Sequence, residues 1–501
     1  MTSPPTTAGT THVEVRTGAY ADSVTLLQVS KDVAAVPGVE NAQVAMATPL
    51  NLDVLASMGF EIPTTTPNDM VVALKLADDG DLPSALAAVD AALARKTSAG
   101  SGQAEAEPHR TTYSALDDAD ASLALISVPG EHAFVEAMDA LDAGRDVMVF
   151  SDNVPLEQEV VLKQRAAERG LLVMGPDCGT AVVGGVGLGF ANRTAPGPVG
   201  IVAASGTGCQ QLMCLLDAQG VGVTAALGVG GRDLSSEVGA LSTREALRRL
   251  DEDPSVELVV VVSKPPAEDV AASLQEYAAS LSTPVQLALL GEGQPDLTAA
   301  AESALDALGK ERPEWQTWGV GAAGPASGGF LRGLFVGGTL CKESMLMAAA
   351  ELGPVRSNIA HSADLALGSS LTAESHTMVD FGDDTLTAGR AHPMIDPTLR
   401  LENLARVAKD PATAAVLLDV VLGHGAEPDP AAALAPAVRE AKETARAAGR
   451  ELPVVVACVG TEEDPQQLSR QATALAEAGA EVFLSNAQAT CRAIELTGGT
   501  R

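Results

Sequence analysis

Four consecutive residues, Ser205-Gly206-Thr207-Gly208, lie where the sequence changes from a strand-like to a helix-like pattern. The β-branched pair Ile201-Val202 precedes them, and residues 210–216 have the apolar spacing of a helix. A glycine turn in this position directs unpaired backbone N–H groups and the positive end of a helix dipole toward one point, which suits a phosphate or another anion. A tight strand-to-helix connection that binds nothing would use the same residues, so this pattern alone leaves both interpretations open.

Two later strand ends carry residues that would complete such a site. The strand predicted at 222–227 ends in GVGGRD (228–233), and the strand at 258–262 ends in SKPP (263–266). Because parallel strands present their carboxyl ends at one edge of a sheet, we expect the three turns to form one anion pocket. Arg232 and Lys264 would neutralise the charge of the ligand, beside Gly230 and Gly231.

Three other turns add candidate ligand contacts. The segments SDN (151–153) and GPDC (175–178) also follow predicted strands, and capped turns that bind nothing are the alternative for both. Cys178 is either a nucleophile or a small buried cysteine, two roles that the sequence does not separate. The second half of the chain opens with a strand that ends in GGT (337–339). The candidates at these turns are Asn153, Asp177, Cys178, Gly337, Gly338 and Thr339.

The loop at 376–397 is the densest polar cluster of the sequence. Its carboxylates suit acid–base catalysis or Mg²⁺ coordination, whereas helix capping and pairing with arginine are the structural alternatives. We predict that Asp383 and Arg390 contact the substrate and that His392 takes part in catalysis. We predict no metal ion here or elsewhere in the chain.

The elements that position these turns are apolar strands alternating with amphipathic helices from residue 122 onward, which predicts right-handed βαβ units and parallel sheets. The segment KTSAGSGQAEAEP (96–108) lacks periodicity and indicates a linker, and residues 291–325 are expected to be an irregular connector. The predicted fold class is a multidomain α/β protein with Rossmann-like and flavodoxin-like parallel-sheet domains and a small N-terminal α+β domain. Its predicted parts are a ferredoxin-like domain at 1–95, a linker at 96–118, a Rossmann-like domain at 119–193 and flavodoxin-like domains at 194–310 and 311–501.

The composition narrows the classes of partner and compartment. With 32 Lys and Arg against 65 Asp and Glu, the net charge of −33 argues against a nucleic-acid or anionic-membrane partner. The six cysteines form no CxxC pair, which fits a reducing compartment. The first residues lack a basic and apolar signal sequence, and no run is long and apolar enough to span a bilayer, so we expect a cytoplasmic protein.

Several motifs together resemble known families. LLVMGPDCGT, GIVAASGTG and GVGGRDLS resemble, in this order, the GPN-C, SRSGT and G-IGGD turns of the α subunit of succinyl-CoA synthetase. The second half is similar to the carboxyl-terminal flavodoxin-like domain of that enzyme's β subunit, with VDFGD (379–383) where the family has its LDVGG turn. With SDNVPLEQE, SKPPAE, GGTL, GRAHPMIDPTLR and LLLDVVLG, the sequence from about residue 12 to 495 resembles the FdrA family.

This resemblance implies an acyl-CoA-synthetase-like protein. Family members are thought to form, with two other protein subunits, an oxamate carbamoyltransferase of ureide and allantoin catabolism. That enzyme interconverts oxalurate plus phosphate with oxamate plus carbamoyl phosphate.

The sequence departs from succinyl-CoA synthetase at three places. Residues 289–309, where that family has its phosphorylated histidine, contain no histidine, and SKPP (263–266) replaces the GEIGG turn whose glutamate positions it. The glycine-rich CoA-binding turn is also missing before residue 123. We therefore expect direct carbamoyl transfer without a phosphohistidine and without a required cofactor, and binding of CoA or a nucleotide stays open.

In this interpretation residues 205–208 bind phosphate, while Arg232 and Lys264 neutralise charge on the phosphate or on the oxalurate carboxylate. Two alternatives remain. One is an acyl-CoA synthetase, and the other is a non-catalytic scaffold subunit that binds partner chains.

Overall fold

In the computed structural model the described residues are 10–21, 23–77, 80–97, 109–321, 328–360, 362–387 and 390–498. They belong to an N-terminal unit, 1–108, and a C-terminal unit, 109–501. The predicted linker at 96–118 overlaps the end of one helix and the whole of another, and its central part, 98–108, lies outside the described residues.

The N-terminal unit has the order β1, α1, β2, α2, β3, α3 and contains the predicted small α+β domain. Its three strands pair in the order β1-β3-β2, and both pairings are antiparallel. The central strand alternates between two cores, since Val72 and Leu74 pack with α1 and α3 while Val71 packs with Leu55 and Phe60. The elements are β1 (Thr10–Arg16), α1 (Ser23–Ala34), β2 (Val39–Met46), α2 (Pro49–Ser57), β3 (Met70–Leu76) and α3 (Leu82–Thr97).

The C-terminal unit begins with a parallel sheet of order β4-β5-β6, as the alternating pattern predicts. Helices connect the successive strands, which is the βαβ arrangement. The elements are α4 (Thr112–Asp118), β4 (Leu123–Ile126), α5 (Gly130–Asp142), β5 (Asp146–Val149), α6 (Leu156–Arg169) and β6 (Val173–Met174).

A second sheet follows, with the order β12-β11-β9-β10-β7-β8. Strands β9 to β12 are parallel, and the hairpin of β7 and β8 joins β10 in antiparallel orientation. The hairpin falls within 119–193, so residues assigned to the Rossmann-like domain complete the next sheet. The elements are β7 (Thr180–Val183), β8 (Val186–Gly189), β9 (Val199–Ala204), α7 (Gly206–Asp217), β10 (Val223–Gly228), α8 (Leu241–Asp251), β11 (Leu258–Ser263), α9 (Glu268–Ala278), β12 (Val285–Leu289) and α10 (Leu297–Ala307).

The expectation that 291–325 is irregular is wrong, because α10 occupies its centre. Asp296 caps this helix by accepting the N–H of Ala299. Leu297, Ala301 and Leu305 are buried at helical spacing. Alanine favours helices, and the glycines and prolines on either side lie outside this helix and mark its limits.

The third sheet has the order β13-β19-β18-β17-β14-β16-β15 and is parallel except for β13. It confirms the parallel α/β arrangement predicted for the second half of the chain. The elements are β13 (Thr317–Trp318), β14 (Phe330–Phe335), α11 (Gly338–Leu352), β15 (Val355–Ser357), β16 (His376–Asp380), α12 (Asp384–Thr387), α13 (Thr398–Lys409), β17 (Thr413–Val421), α14 (Pro430–Ala447), β18 (Val454–Val459), α15 (Leu468–Glu477), β19 (Glu481–Phe483) and α16 (Asn486–Leu496).

Helix α7 joins the second and third sheets into one core. Its residues from Gly208 to Leu216 are all buried, and it contacts both α10 and α11. Polar side chains cross the same junction, where Gln210 donates to the Leu422 carbonyl and Gln211 to the Leu484 carbonyl. The ends of β9 and β14 are thereby brought together. Over the described ranges, no helix combines the length and apolarity needed to cross a membrane.

Candidate functional site

The N-termini of α7 and α11 face each other, and we call them the facing termini (205–208 and 337–339). Ser205 caps α7 by accepting the N–H of Gly208 at 3.1 Å, and its Oγ lies 2.6 Å from Oγ1 of Thr339. Among the described residues, no acceptor binds the N–H groups of Gly206, Thr207 and Gly338. The positive ends of two helix dipoles and their unpaired donors therefore converge, which is an arrangement suited to an anion.

A buried ion pair fixes the turn before α11. Asp419 on β17 accepts the N–H of Val336 at 2.7 Å and that of Gly337 at 2.8 Å. Arg400 donates to the carbonyl oxygen of Asp419 at 2.6 Å and lies 3.2 Å from its Oδ1. Burial raises the pKa of Asp419 to about 6, while Arg400 and the two backbone N–H groups favour its ionised form. The α11 terminus thus depends on a carboxylate from the neighbouring strand.

Lys264 and Asp380 lie beside the first residue of α11. A Cβ atom placed on Gly338 would lie 2.5 Å from Oδ2 of Asp380 and 3.8 Å from Nζ of Lys264. Asp380 is buried at the end of β16, and its Oδ1 accepts the N–H of Gly382 at 2.9 Å. Burial raises the pKa of Asp380 to about 7 against the opposing effect of Lys264. Asp380 is therefore an acid whose proton exchanges near neutral pH.

Charged side chains from the turns at 151–153, 175–178 and 228–233 interact electrostatically with Lys264 and with Asp384. Desolvation by the surrounding protein raises the pKa of Asp177 to about 6, although the residue is exposed. The carboxylates of Asp384 and Asp152 raise it further, whereas Lys264 and Arg232 oppose the shift. Burial and the same Asp152 also raise the pKa of Asp384. The structure thus brings the predicted residues Asp177, Arg232 and Lys264 within electrostatic range.

Arg232 is held from behind by a buried network. Its Nε lies 2.8 Å from Glu159 Oε2, and its Nη2 donates to the Val154 carbonyl at 2.8 Å. Glu159 also binds Lys163, which bridges to Asp233 with a second contact of 2.8 Å, and these three side chains are fully buried. The network anchors the GVGGRD loop to α6 and positions Arg232 by an acid, while 45% of the Arg232 side chain stays exposed to solvent.

The surroundings of His392 favour its neutral imidazole. Burial lowers its pKa to about 4. The Met394 N–H donates to its Nδ1 at 3.2 Å, which leaves the ring proton on Nε2. A Cβ atom on Gly382 would lie 2.7 Å from that Nε2, and the ring packs on Phe190 with 5.5 Å between centroids. His392 is therefore suited to donating a hydrogen bond and not to carrying a positive charge at neutral pH.

Cys178 does not have the environment of a nucleophile or a ligand contact. It is 2% exposed, burial raises its pKa to about 12, and its thiol donates to the Thr180 carbonyl. The prediction that Cys178 contacts substrate is therefore corrected, since its side chain belongs to the core beneath the second sheet.

Other predicted contacts have structural roles. Gly230 has φ +87°, and a Cβ atom there would lie 2.6 Å from the Pro176 carbonyl oxygen, so the glycine permits close approach of two turns. Asp383 accepts the N–H of Thr385 at 3.1 Å at the start of α12. Gly231, Asn153 and Arg390 are exposed, and the structure gives them no role in the site.

Three residues of the site were not selected from the sequence: Arg400, Asp419 and Lys342 of α11. Asp380 belongs to the polar loop at 376–397 whose carboxylates were considered for acid–base catalysis, although Asp383 was the one singled out there. A signal existed for Asp419, because it is the one charged residue within the apolar run of β17 and such a charge requires buried partners. Arg400 and Lys342 lie in ordinary helical patterns, and nothing in those patterns distinguishes them from surface residues.

Comparisons with known proteins agree with this architecture. The CoA-ligase family model matches residues 334–496, and the model for AllF, heavy metal-associated domain, matches residues 8–110. The chain is 37% identical over 494 residues to the uncharacterised protein YahF of Escherichia coli strain K12, covering 93% of this chain and 95% of that protein.

Partial similarity extends to CoA ligases. Subunit alpha 2 of the ADP-forming succinate–CoA ligase of Archaeoglobus fulgidus is 32% identical over 177 residues, which cover 34% of this chain and 59% of that subunit. Among solved structures, the dinucleotide-forming acetyl-coenzyme A synthetase 1 of Ca. Korarchaeum cryptofilum aligns with 17% identity and a TM-score of 0.30, covering 76% of this chain and 86% of that one.

The N-terminal unit does not fit a heavy-metal site, despite the name of its family model. Soft metal ions are held chiefly by cysteine thiolates, and the sequence contains no cysteine before position 178. Within the described ranges, no group of three or more His, Cys, Asp or Glu residues is placed to hold a metal ion.

Proposed function

Since the chain belongs to the FdrA-like family of the succinyl-CoA synthetase-like superfamily, we propose that it is a carbamoyltransferase subunit. It interconverts oxalurate plus phosphate with oxamate plus carbamoyl phosphate. The observation that carries the proposal is the convergence of the facing termini, joined by the hydrogen bond between Ser205 and Thr339. Their unpaired N–H groups would hold the phosphoryl oxygens.

The reaction requires one displacement at the carbamoyl carbon of oxalurate. A phosphate oxygen bonds to that carbon, the bond between the carbon and the oxamate nitrogen breaks, and the departing nitrogen takes up a proton. In the reverse direction the amide nitrogen of oxamate attacks carbamoyl phosphate and loses a proton. The protein must therefore hold phosphate, exchange one proton and stabilise negative charge on the carbamoyl oxygen.

The residues beside the facing termini suit these tasks. Asp380, with a pKa of about 7, would supply and recover the proton. The neutral His392, with its proton on Nε2, would donate a hydrogen bond to the carbamoyl oxygen. Lys264 would balance the charge of the phosphate, and the anchored Arg232 would add positive potential.

The charge of Lys264 favours a free phosphate over a phosphoenzyme. It occupies the turn in which the resemblance to succinyl-CoA synthetase predicts the glutamate that positions a phosphohistidine. A cation in that position would repel a protonated histidine but would attract inorganic phosphate. We accordingly propose direct transfer without a resident cofactor, in a cytoplasmic complex with two other protein subunits.

The test measures formation of carbamoyl phosphate from oxalurate and inorganic phosphate by the full-length chain, alone and purified with its partner subunits. Replacing Lys264 by Met is expected to lower kcat/KM for phosphate by roughly 10-fold or more, the cost of one charge-assisted hydrogen bond. The matched control is Lys310→Met, which removes an exposed lysine after α10 and is expected to leave kcat/KM unchanged.

The same preparations are assayed for CoA-dependent ADP formation. Release of ADP without phosphorolysis of oxalurate would replace the proposal by an acyl-CoA synthetase, the activity suggested by the CoA-ligase match at 334–496. Absence of both activities with the partners present would leave a scaffold subunit.

A further inference from the structure

Two lysines near the facing termini lack acidic partners in a strongly acidic chain. Acidic residues outnumber basic ones by 65 to 32, so a lysine has many possible carboxylate partners. The ammonium groups of Lys264 and Lys342 nevertheless form no direct hydrogen bond or ion pair with the residues that the structure describes, and the carboxylates of Asp380 and Asp177 act on Lys264 only at longer range. Lys342 is also half-buried, and an ammonium group in such a place requires a counter-charge.

Lys342 and Lys264 both lie beside Gly338, the first residue of α11. Lys342 follows Gly338 by four residues, and a side chain at i+4 leans toward the helix N-terminus over residue i. Residue i is here a glycine, so no side chain obstructs the lysine stem. Lys264 approaches the same glycine from the turn that follows β11, with Nζ 3.8 Å from the position of a Cβ atom on Gly338.

The electrostatics agree with this placement. Burial lowers the pKa of Lys342, and the positive charge of Lys264 lowers it further. Lys342 is partly buried and Lys264 is exposed, and an anion bound between these two mutually repelling ammonium groups would stabilise the charge of Lys342.

We propose that Lys264 and Lys342 form a carboxylate-binding subsite that holds the carboxylate of oxamate or oxalurate beside the facing termini. The inference rests on the proposed function and assigns the substrate class of the same site: an amide or ureide that carries a carboxylate on the adjacent carbon. Phosphate occupies the helix N-termini, the carboxylate occupies the lysine pair, and the carbamoyl group lies between them. Lys264 lies beside the facing termini and acts on both anions, whereas Lys342 acts on the carboxylate alone, so mutation of Lys342 separates the two affinities.

The experiment compares two ligands by calorimetry on the full-length chain. Oxamate carries the carboxylate, and oxamide is its neutral analogue of nearly equal shape. Replacing Lys342 by Met retains most of the stem, and this variant is expected to bind oxamate roughly 10- to 100-fold more weakly, the range for a charge-assisted hydrogen bond. Affinities for oxamide and for inorganic phosphate are expected to remain at the wild-type value.

Two further variants separate charge from folding. Lys342→Arg keeps the charge and is expected to restore most of the oxamate affinity, and Lys310→Met is expected to change nothing. Thermal unfolding of each variant shows whether the fold is retained.

Each outcome decides one claim. Equal loss of oxamate and oxamide, or unchanged oxamate affinity in Lys342→Met, overturns the subsite. Wild-type protein that binds phosphate but not oxamate overturns it as well and leaves the phosphate site standing. Oxamate binding that depends on Lys342, in a complex that never produces carbamoyl phosphate, supports the subsite and contradicts the proposed reaction.

Discussion

The N-termini of α7 and α11 face the same point but are built by different means. At α7 the cap is local, because Ser205 accepts the N–H of Gly208 three residues later. At α11 the residue before the helix, Gly337, has no side chain with which to cap. Its N–H and that of Val336 are bound by Asp419, 82 and 83 residues away in sequence, which in turn depends on Arg400.

This difference separates two ways of preparing a helix terminus for an anion. A serine cap is neutral and uses one donor of its own helix, so it costs little if removed. A buried carboxylate binds two donors but brings a negative charge next to the proposed anion site, and a buried arginine must compensate it. The α11 terminus should therefore be the more sensitive of the two to mutation and to pH.

The largest effect is expected from Arg400→Met. It leaves Asp419 as an uncompensated buried charge, which should destabilise the protein by about 3 to 5 kcal/mol at pH 8. Because burial raises the folded-state pKa of Asp419 above its unfolded value, the folded state tolerates the residue well at low pH and loses stability as pH rises through that pKa. Urea denaturation midpoints at about pH 5 and pH 8 should therefore diverge for the variant more than for the wild type.

The double variant Arg400→Met with Asp419→Asn is the control for this prediction. It removes the charge itself, so its stability should depend less on pH than that of the single variant. A single variant as stable as the wild type at pH 8 would show that the α11 terminus does not depend on this ion pair.

The second effect concerns Asp380, whose pKa is raised to about 7 by burial beside the α11 terminus. Its protonated fraction falls as pH rises through 7, so phosphorolysis of oxalurate should slow from about pH 6 to pH 8. Asp380→Asn should lower kcat by about 100-fold or more, the usual contribution of an acid–base group. The variant should retain only the pH dependence of phosphate itself, and a profile identical to that of the wild type would assign the proton transfer to another group.

A smaller effect is expected at α7. Ser205→Ala removes the cap and should destabilise the protein by about 1 kcal/mol, with little dependence on pH. The measurement is the same urea midpoint at the two pH values. If Ser205→Ala cost more than Arg400→Met at pH 8, the contrast between the two termini would be refuted.

The smallest effect is expected from Thr339→Val, which breaks only the hydrogen bond between the termini. The loss should be about 0.5 kcal/mol, the lower end for one hydrogen bond, because the hydroxyl of Ser205 keeps its bond to Gly208. A double-mutant cycle with Ser205→Ala measures the coupling between the termini, and a coupling of zero would mean that they are formed independently.

The contrast between a local cap and a distant carboxylate explains how much of the site could be predicted from the sequence. The strand before Ser205 and the helix after it follow from local residue types, and the structure contains both. The helix begins at Gly206, earlier than the glycine turn predicted, and the cap formed by Ser205 was not foreseen. The role of Gly337 and Gly338 at a second helix terminus depends on Asp419 and Asp380, which come from other strands. Cys178 was misjudged because the sequence shows its turn but not the core that encloses its side chain.

The fold shows a similar division. Apolar strands alternating with amphipathic helices predicted the parallel sheets of the C-terminal unit, which the structure contains. Helix α10 was missed, since an alanine-rich segment between glycines and prolines gives no strong periodicity. The pairing of the β7–β8 hairpin with β10 was also missed. The hairpin follows the strands of the first sheet in sequence, but it pairs with a strand of the second sheet.

The sequence by itself determined the fold class, the family and the strand-to-helix turn before α7, because periodicity and glycine turns act over a few residues. Only the tertiary structure decided which second helix faces that turn and which lysines lack partners. It also decided which carboxylates are buried enough to titrate near neutral pH. Desolvation and ion pairing depend on all the atoms around a group, and those atoms come from strands and helices far apart in the chain.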